Sequence, residues 1–273
     1  MSKKLLQSII VFLFVMSLSI NLFAQNYYMR QKSGTWFAGE INFPKMEDYY
    51  DYASGWNVNL MLKLRMSDRI SLLGELPIAH GSVDDKYYFM EGNETGIGNI
   101  FVGLQTTTKI DGLSFELGIR LPTADEDKVM AYLPSTISDL EKYSSFSFNA
   151  WGASLLSTYQ FDIASGVYGS AVLGPSLIIP KKDEYGDTEL FGNYILGIGY
   201  KNERFDVSAR LVGFMILSES DLDFDERTFH HTVFSASILF DRLEPGIILR
   251  LPMDEFSMHK FIFGISLGYR FND

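Results

Sequence analysis

The sequence predicts an all-β fold: a transmembrane, antiparallel, up-and-down β-barrel of about twelve strands. Three observations carry this reading. Apolar and polar residues alternate with period two in segment after segment, the periodicity of a strand with one apolar face. The connections between these segments are alternately short and long, as periplasmic turns and external loops are in outer-membrane barrels. With the apolar faces outward, Phe37, Tyr159, Phe161, Tyr200, Phe205, Phe240, Tyr269 and Phe271 all fall at one end of their strands, as an interfacial aromatic girdle requires.

The elements follow in order. Two lysines, an apolar run beginning at Ile9 and a small residue at Ala24 read as a secretory signal peptide over 1–24, with a periplasmic lead-in over 25–33 and the barrel over 34–273. Alternation places the first strands at Gly34 to Phe43, Gly55 to Met66 and Ile70 to Ile78. A longer connection from His80 to Thr95 is expected before the strand at Ile97 to Thr107. Leu113 to Leu121 follows a tight turn and leads into a long polar segment, Thr123 to Ser145, read as another external connection. Further strands are Ser147 to Phe161, Val167 to Ile179, Leu190 to Tyr200, Phe205 to Leu217, Thr232 to Phe240 and Ile247 to Leu251. The closing strand runs from Phe261 to Phe271, with Phe, Ile, Leu and Tyr on one face and Ile262, Gly264, Ser266, Gly268 and Arg270 on the other. The tripeptides Glu75 to Pro77, Arg120 to Pro122 and Arg250 to Pro252 form a weak repeat where upward strands leave the membrane. Proline tolerates strand ends because it donates nothing to the ladder, so the repeat reads as structural punctuation.

Composition sets limits on function. The chain carries 34 Asp and Glu against 23 Lys and Arg, a net charge of −11, which argues against nucleic acid as a partner. It has no cysteine, which excludes a disulfide scaffold, a thiolate metal site and a lipidated Cys. The six long connections together hold more negative charge than the whole mature chain, so an acidic external rim is expected. Outer-membrane lipid, lipopolysaccharide and a small-molecule solute are the expected partners.

The other strand face should line the lumen. That set is Glu40, Lys63, Arg65, Glu75, Glu116, Arg120, Asp206, Arg210, Arg250, Lys260 and Arg270, with Phe214, Met61, Ile178, Val212 and Ile216 adding apolar wall. Twelve strands lie between eight, which side chains can fill, and the sixteen or more that leave an aqueous channel. Two readings of the lumen therefore stand: a narrow solute pathway, or a lumen partly closed by paired charges.

The four histidines, His80, His230, His231 and His259, occupy strand ends or connections. His231 with Ser235 is the local Ser and His pair a lipid hydrolase would need, but both fall on the lumen face. The run Asp221 to Glu226 lacks the Gly and the closing Glu of a calcium loop. Gly96 to Gly98 lacks the helix and further glycines of a phosphate-binding turn and reads as flexibility at a strand start. No cofactor and no metal are expected.

The stretch Leu72 to Asp127, with GELPIAHGS, GIGNIFVGLQTTT and GLSFELGIRLPTADED, and the GYRF ending resemble the outer-membrane family associated with the meta-pathway of phenol degradation. That resemblance implies a porin-like barrel and uptake of small hydrophobic or aromatic compounds. The expected function is thus an outer-membrane channel or uptake protein for small solutes. A lipid-modifying enzyme and a structural or surface-interaction barrel without permeation are the alternatives.

Overall fold

A computed structural model describes residues 34–50, 52–85, 90–136, 138–181, 187–219, 223–254 and 257–271. The expected signal peptide and lead-in lie outside the described residues, as does Asp221. The strands are β1 (Trp36–Met46), β2 (Ala53–Arg65), β3 (Ile70–Asp85), β4 (Met90–Ile97), β5 (Phe101–Thr107), β6 (Leu113–Arg120), β7 (Ala150–Ala164), β8 (Val167–Pro180), β9 (Glu189–Lys201), β10 (Phe205–Ile216), β11 (Thr228–Ile238), β12 (Leu243–Pro252) and β13 (His259–Arg270). All pairings are antiparallel. β13 closes onto β1 through a register that runs from Trp36 opposite Arg270 to Pro44 opposite Ile262.

Thirteen segments make a closed twelve-stranded barrel because β4 and β5 are two halves of one stave. β4 pairs with residues 78–85 of β3, and β5 with residues 70–75. The break falls at Gly98 to Ile100, opposite Pro77, whose missing N–H would have been a gap in the ladder anyway. Gly98 N instead donates to Pro77 O at 2.8 Å.

The outward face carries an apolar belt across the middle of the strands. Leu117, Leu173, Leu196 and Ile198 are all more than half exposed in mid-strand. An apolar belt of that extent exceeds by far the few hundred Å² that a water-soluble monomer exposes, so lipid is its solvent. The opposite register would set Arg210 against lipid at a cost of about 2–4 kcal/mol near the bilayer midplane; Arg210 instead is buried inside. The aromatic girdle is present at the end that carries the short turns. Tyr159 packs on Phe161, Tyr200 on Phe205 and Tyr269 on Phe271, with ring centroids 5.5, 5.8 and 4.9 Å apart.

Three expectations are corrected. His80 to Thr95 is mostly hairpin: β3 continues to Asp85 and β4 begins at Met90. Polar residues on both faces hid it, because beyond the bilayer neither face needs an apolar row. Thr123 to Ser145 is no external loop; it turns back into the barrel. Lys260 does not line the lumen. A bulge in β13 opposite Lys45 and Met46 shifts the register by one residue. His259 points inward, and Lys260 leaves for the rim, where its Nζ meets Asp48 Oδ1 at 2.5 Å.

Candidate functional site

The β6–β7 connection fills the lumen as a plug. It carries 3-10 turns at Glu126–Lys128, Leu133–Ser135 and Leu140–Phe146 and a short helix, Val129–Tyr132. None of these could persist alone in water, since a nucleus this short is unfavourable, so the wall must hold them.

One part of the wall is shaped for the helix. A Cβ on Gly81 would lie 2.0 Å from Met130 O, and one on Gly96 would lie 2.6 Å from the Tyr132 hydroxyl. Only glycine allows the helix to sit this close to β3 and β4. Tyr132 Oη donates to Ile97 O at 2.8 Å and accepts from Asp125 N at 3.1 Å, closing the seat. His259, turned inward by the bulge, donates from Nε2 to Pro134 O at 3.0 Å.

Both ends of the plug meet at Asn99, the residue displaced from the ladder at the β4–β5 break and fully buried. Its Nδ2 donates to Ser144 O at 3.0 Å and Ser147 O at 2.5 Å, and its Oδ1 accepts from Ala124 N at 3.0 Å. One side chain thus clamps the start and the finish of the segment. The Gly96 to Gly98 motif is therefore neither a ligand loop nor mere flexibility; it sets up this clamp.

Charge pairs fasten the middle. Arg250 Nη2 binds both Glu40 Oε1 and Asp139 Oδ2 at 2.9 Å, and its Nη1 donates to Asn42 Oδ1 at 2.8 Å. Arg210 Nη1 binds Glu141 Oε1 at 2.7 Å. Arg120 binds Glu75 at 2.9 Å, and Lys142 approaches the other Glu75 oxygen at 3.7 Å. Asn57 Nδ2 donates to Ser138 Oγ at 3.1 Å. Burial alone would push the Asp139 carboxyl up, but Arg250, Lys142 and the Glu141 N–H outweigh it and hold the group below the usual carboxylate range. Buried pairs of this kind are costly to break by removing one partner, about 3–5 kcal/mol, because a charge is then left uncompensated.

The remaining expected lumen residues are placed as follows. Glu116, Asp206 and Lys63 are buried on the inner wall. Lys63 Nζ donates to Gln105 Oε1 at 2.6 Å, and Asp206 Oδ1 accepts from Tyr168 Oη at 2.9 Å. Arg65 and Arg270 stand on the inward face at the short-turn end, where Arg65 pairs with Asp68 and Arg270 lies over the Trp36 ring. Phe214, Val212 and Ile178 join Leu140 in an apolar cluster, with Ile216 against its edge; Met61 packs with Trp36 and Ala38. His231 is buried facing the plug, and Ser235 engages the Ser208 hydroxyl, so the pair stays inside the barrel and away from lipid.

Alternation identifies Glu75, Arg120 and Arg250, which open the three tripeptide repeats, as lumen wall, but gives no sign that Glu75 and Arg250 anchor a plug through Lys142 and Asp139, that Arg120 holds Glu75 in place, or that Asn99 is a clamp. On the outer wall, His230 bonds Tyr194 through Nε2 and Asp254 through Nδ1, tying β9 and β11 to the β12–β13 connection. Among the described residues no three His, Asp, Glu or Cys side chains gather as metal ligands.

Two cavities of about 50 Å³ flank the plug, one against Lys63, Glu75 and Glu116 and one against Arg120, Leu156 and Phe191. Each has room for a few waters. At the short-turn end an open cavity of about 610 Å³ is bounded by Lys63, Thr107, Ser114, Thr158 and Gln160.

No family model and no curated protein sequence matches the chain. Among solved structures it is similar to the β domain of the Bordetella autotransporter BrkA, at TM-score 0.54 and 11% identity over 87% of this chain and 99% of that one. It is similar to the translocator domain of the autotransporter NalP from Neisseria meningitidis, at TM-score 0.52 and 11% identity over 98% and 97%. It is also similar to the KdgM porin in complex with disordered oligogalacturonate, at TM-score 0.51 and 8% identity over 87% and 99%. The resemblance at Leu72 to Asp127 thus has a porin-like counterpart in fold, while its phenol-pathway part has no family match. At these identities the likeness is one of fold, and with the closed lipid-facing barrel it makes this chain a bacterial outer-membrane β-barrel.

Proposed function

We propose that this protein is an outer-membrane channel for small solutes, held shut by the β6–β7 segment and opened when that segment leaves its seat. The observation that carries this reading is how the plug is attached. It lies outside the strand ladder and is seated by side-chain pairs and one asparagine clamp, so it can leave without breaking the ladder. The apolar half-wall of Phe191, Phe214, Val172 and Ile195 supports a solute with an apolar or aromatic body. The acidic residues that remain at the external end, such as Asp48, Asp223 and Asp225, support contact with lipopolysaccharide through divalent cations.

The test uses the absence of native cysteine. Asn57→Cys and Ser138→Cys should be joined by a short thiol crosslinker and the full-length protein inserted in planar bilayers. Crosslinking should abolish conductance and reduction should restore it. Conductance unaffected by the staple, or absent in wild type and in every plug-loosened variant, would overturn the proposal and favour a barrel without permeation.

A further inference from the structure

The two arginines that hold the plug lie level with each other. Arg210 pairs in register with Val233, and Val233 with Arg250, so β10, β11 and β12 present Arg, Val and Arg in one row across the inner wall. With strands about 4.8 Å apart, the two arginine Cα atoms are roughly 10 Å apart. The plug answers this row with three consecutive residues. Asp139 binds Arg250 at 2.9 Å, Glu141 binds Arg210 at 2.7 Å, and Leu140 enters the apolar cluster that holds Val233, Val212 and Ile248. A cation–apolar–cation row is thus covered by an anion–apolar–anion tripeptide, and all four charged side chains are at most 6% exposed.

Guanidinium groups recognise carboxylates through charge-assisted N–H bonds of defined direction, which makes such a row selective as well as attractive. When the plug leaves, both arginines lose a carboxylate in one event, Arg250 keeping its wall partner Glu40. A solute that brings two carboxylates on a short apolar spacer replaces both at once, and a ligand that binds only the vacated state shifts the population toward it. The geometry points to small organic dianions, dicarboxylates with a short apolar spacer, as the solute class: they compete with Asp139, Leu140 and Glu141 for the Arg210–Val233–Arg250 row and so open the lumen they enter. This rests on the plug reading above and sharpens its solute. It also sets the selectivity of the lumen opposite to that of the acidic external rim.

The experiment is conductance of the full-length protein in planar bilayers with succinate, glutarate and adipate, against glucose and a diamine as controls. Dicarboxylates should raise the open probability of wild type, and glucose and the diamine should not. Asp139→Asn with Glu141→Gln should conduct at least about tenfold more without added dicarboxylate, with a reversal potential that shows anion preference. Arg210→Gln with Arg250→Gln should lose the dicarboxylate response. A measurement that leaves all four charges in place protects against misfolding: Ser138→Cys, buried when the plug is seated, should react faster with an impermeant maleimide as dicarboxylate is added. An unchanged labelling rate, a response that survives loss of both arginines, or a cation-selective open state would overturn the inference. A crosslink that blocks current combined with no dicarboxylate effect would leave the channel reading standing and remove this one.

Discussion

Replacing Asn99 by alanine should unseat the plug while leaving the barrel whole. The Asn99 side chain makes three bonds to backbone groups, to Ser144 O and Ser147 O and from Ala124 N. Its own backbone bonds, from Asn99 N to Ser145 O and from Arg120 to Asn99 O, survive the substitution. A buried polar group left without a partner costs about 1–3 kcal/mol. Water reaches some of the three once the clamp is gone, so the total is about 3 kcal/mol. At 1.4 kcal/mol per decade that is about a hundredfold shift from seated toward unseated plug. The assay is open probability in planar bilayers together with maleimide labelling of Ser138→Cys, both of which should rise. The heat-dependent gel shift reports the ladder and should not change. If Asn99→Ala leaves conductance and labelling at wild-type levels, the clamp does not hold the plug. If the gel shift disappears, Asn99 belongs to the barrel's own stability and the separation of plug from ladder is wrong.

Gly81→Val should have a related effect from the other side, because its Cβ would strike the Met130 carbonyl and expel the helix; conductance should rise with the gel shift intact, and a silent substitution would mean the seat is not tight. Unheated and boiled samples should migrate differently in detergent gels, with a strand-dominated circular dichroism spectrum; a helical spectrum would refute the fold. Labels on intact cells should reach a cysteine placed at Asp223 or Asp225, both exposed in the β10–β11 connection, and labelling seen only after the outer membrane is broken would invert the orientation.

Alternation alone carries the barrel and the lipid and lumen faces of its strands. Lipid acts on every residue of a strand in the same way, so its demand is written locally: Leu117, Leu173 and Ile198 face out because Glu116, Val172 and Gly197 face in, and alternation is legible without any partner. The girdle and the lumen face of Glu40, Arg120, Arg210 and Arg250 were readable on the same ground. Where the polar residues find their partners depends on contacts far apart in the chain. Thr123 to Ser145 is as polar as an external loop, and nothing within it reveals that Asp139 and Glu141 will meet arginines contributed by β12 and β10. The inward turn of His259 depends on one extra residue in β13 measured against β1, and the role of Asn99 depends on a break in the ladder opposite Pro77. Period-two patterning reports the solvent of each face, whereas a buried ion pair is chosen by closure of the barrel, which brings Glu40 and Arg250 within 2.9 Å across 210 residues of chain.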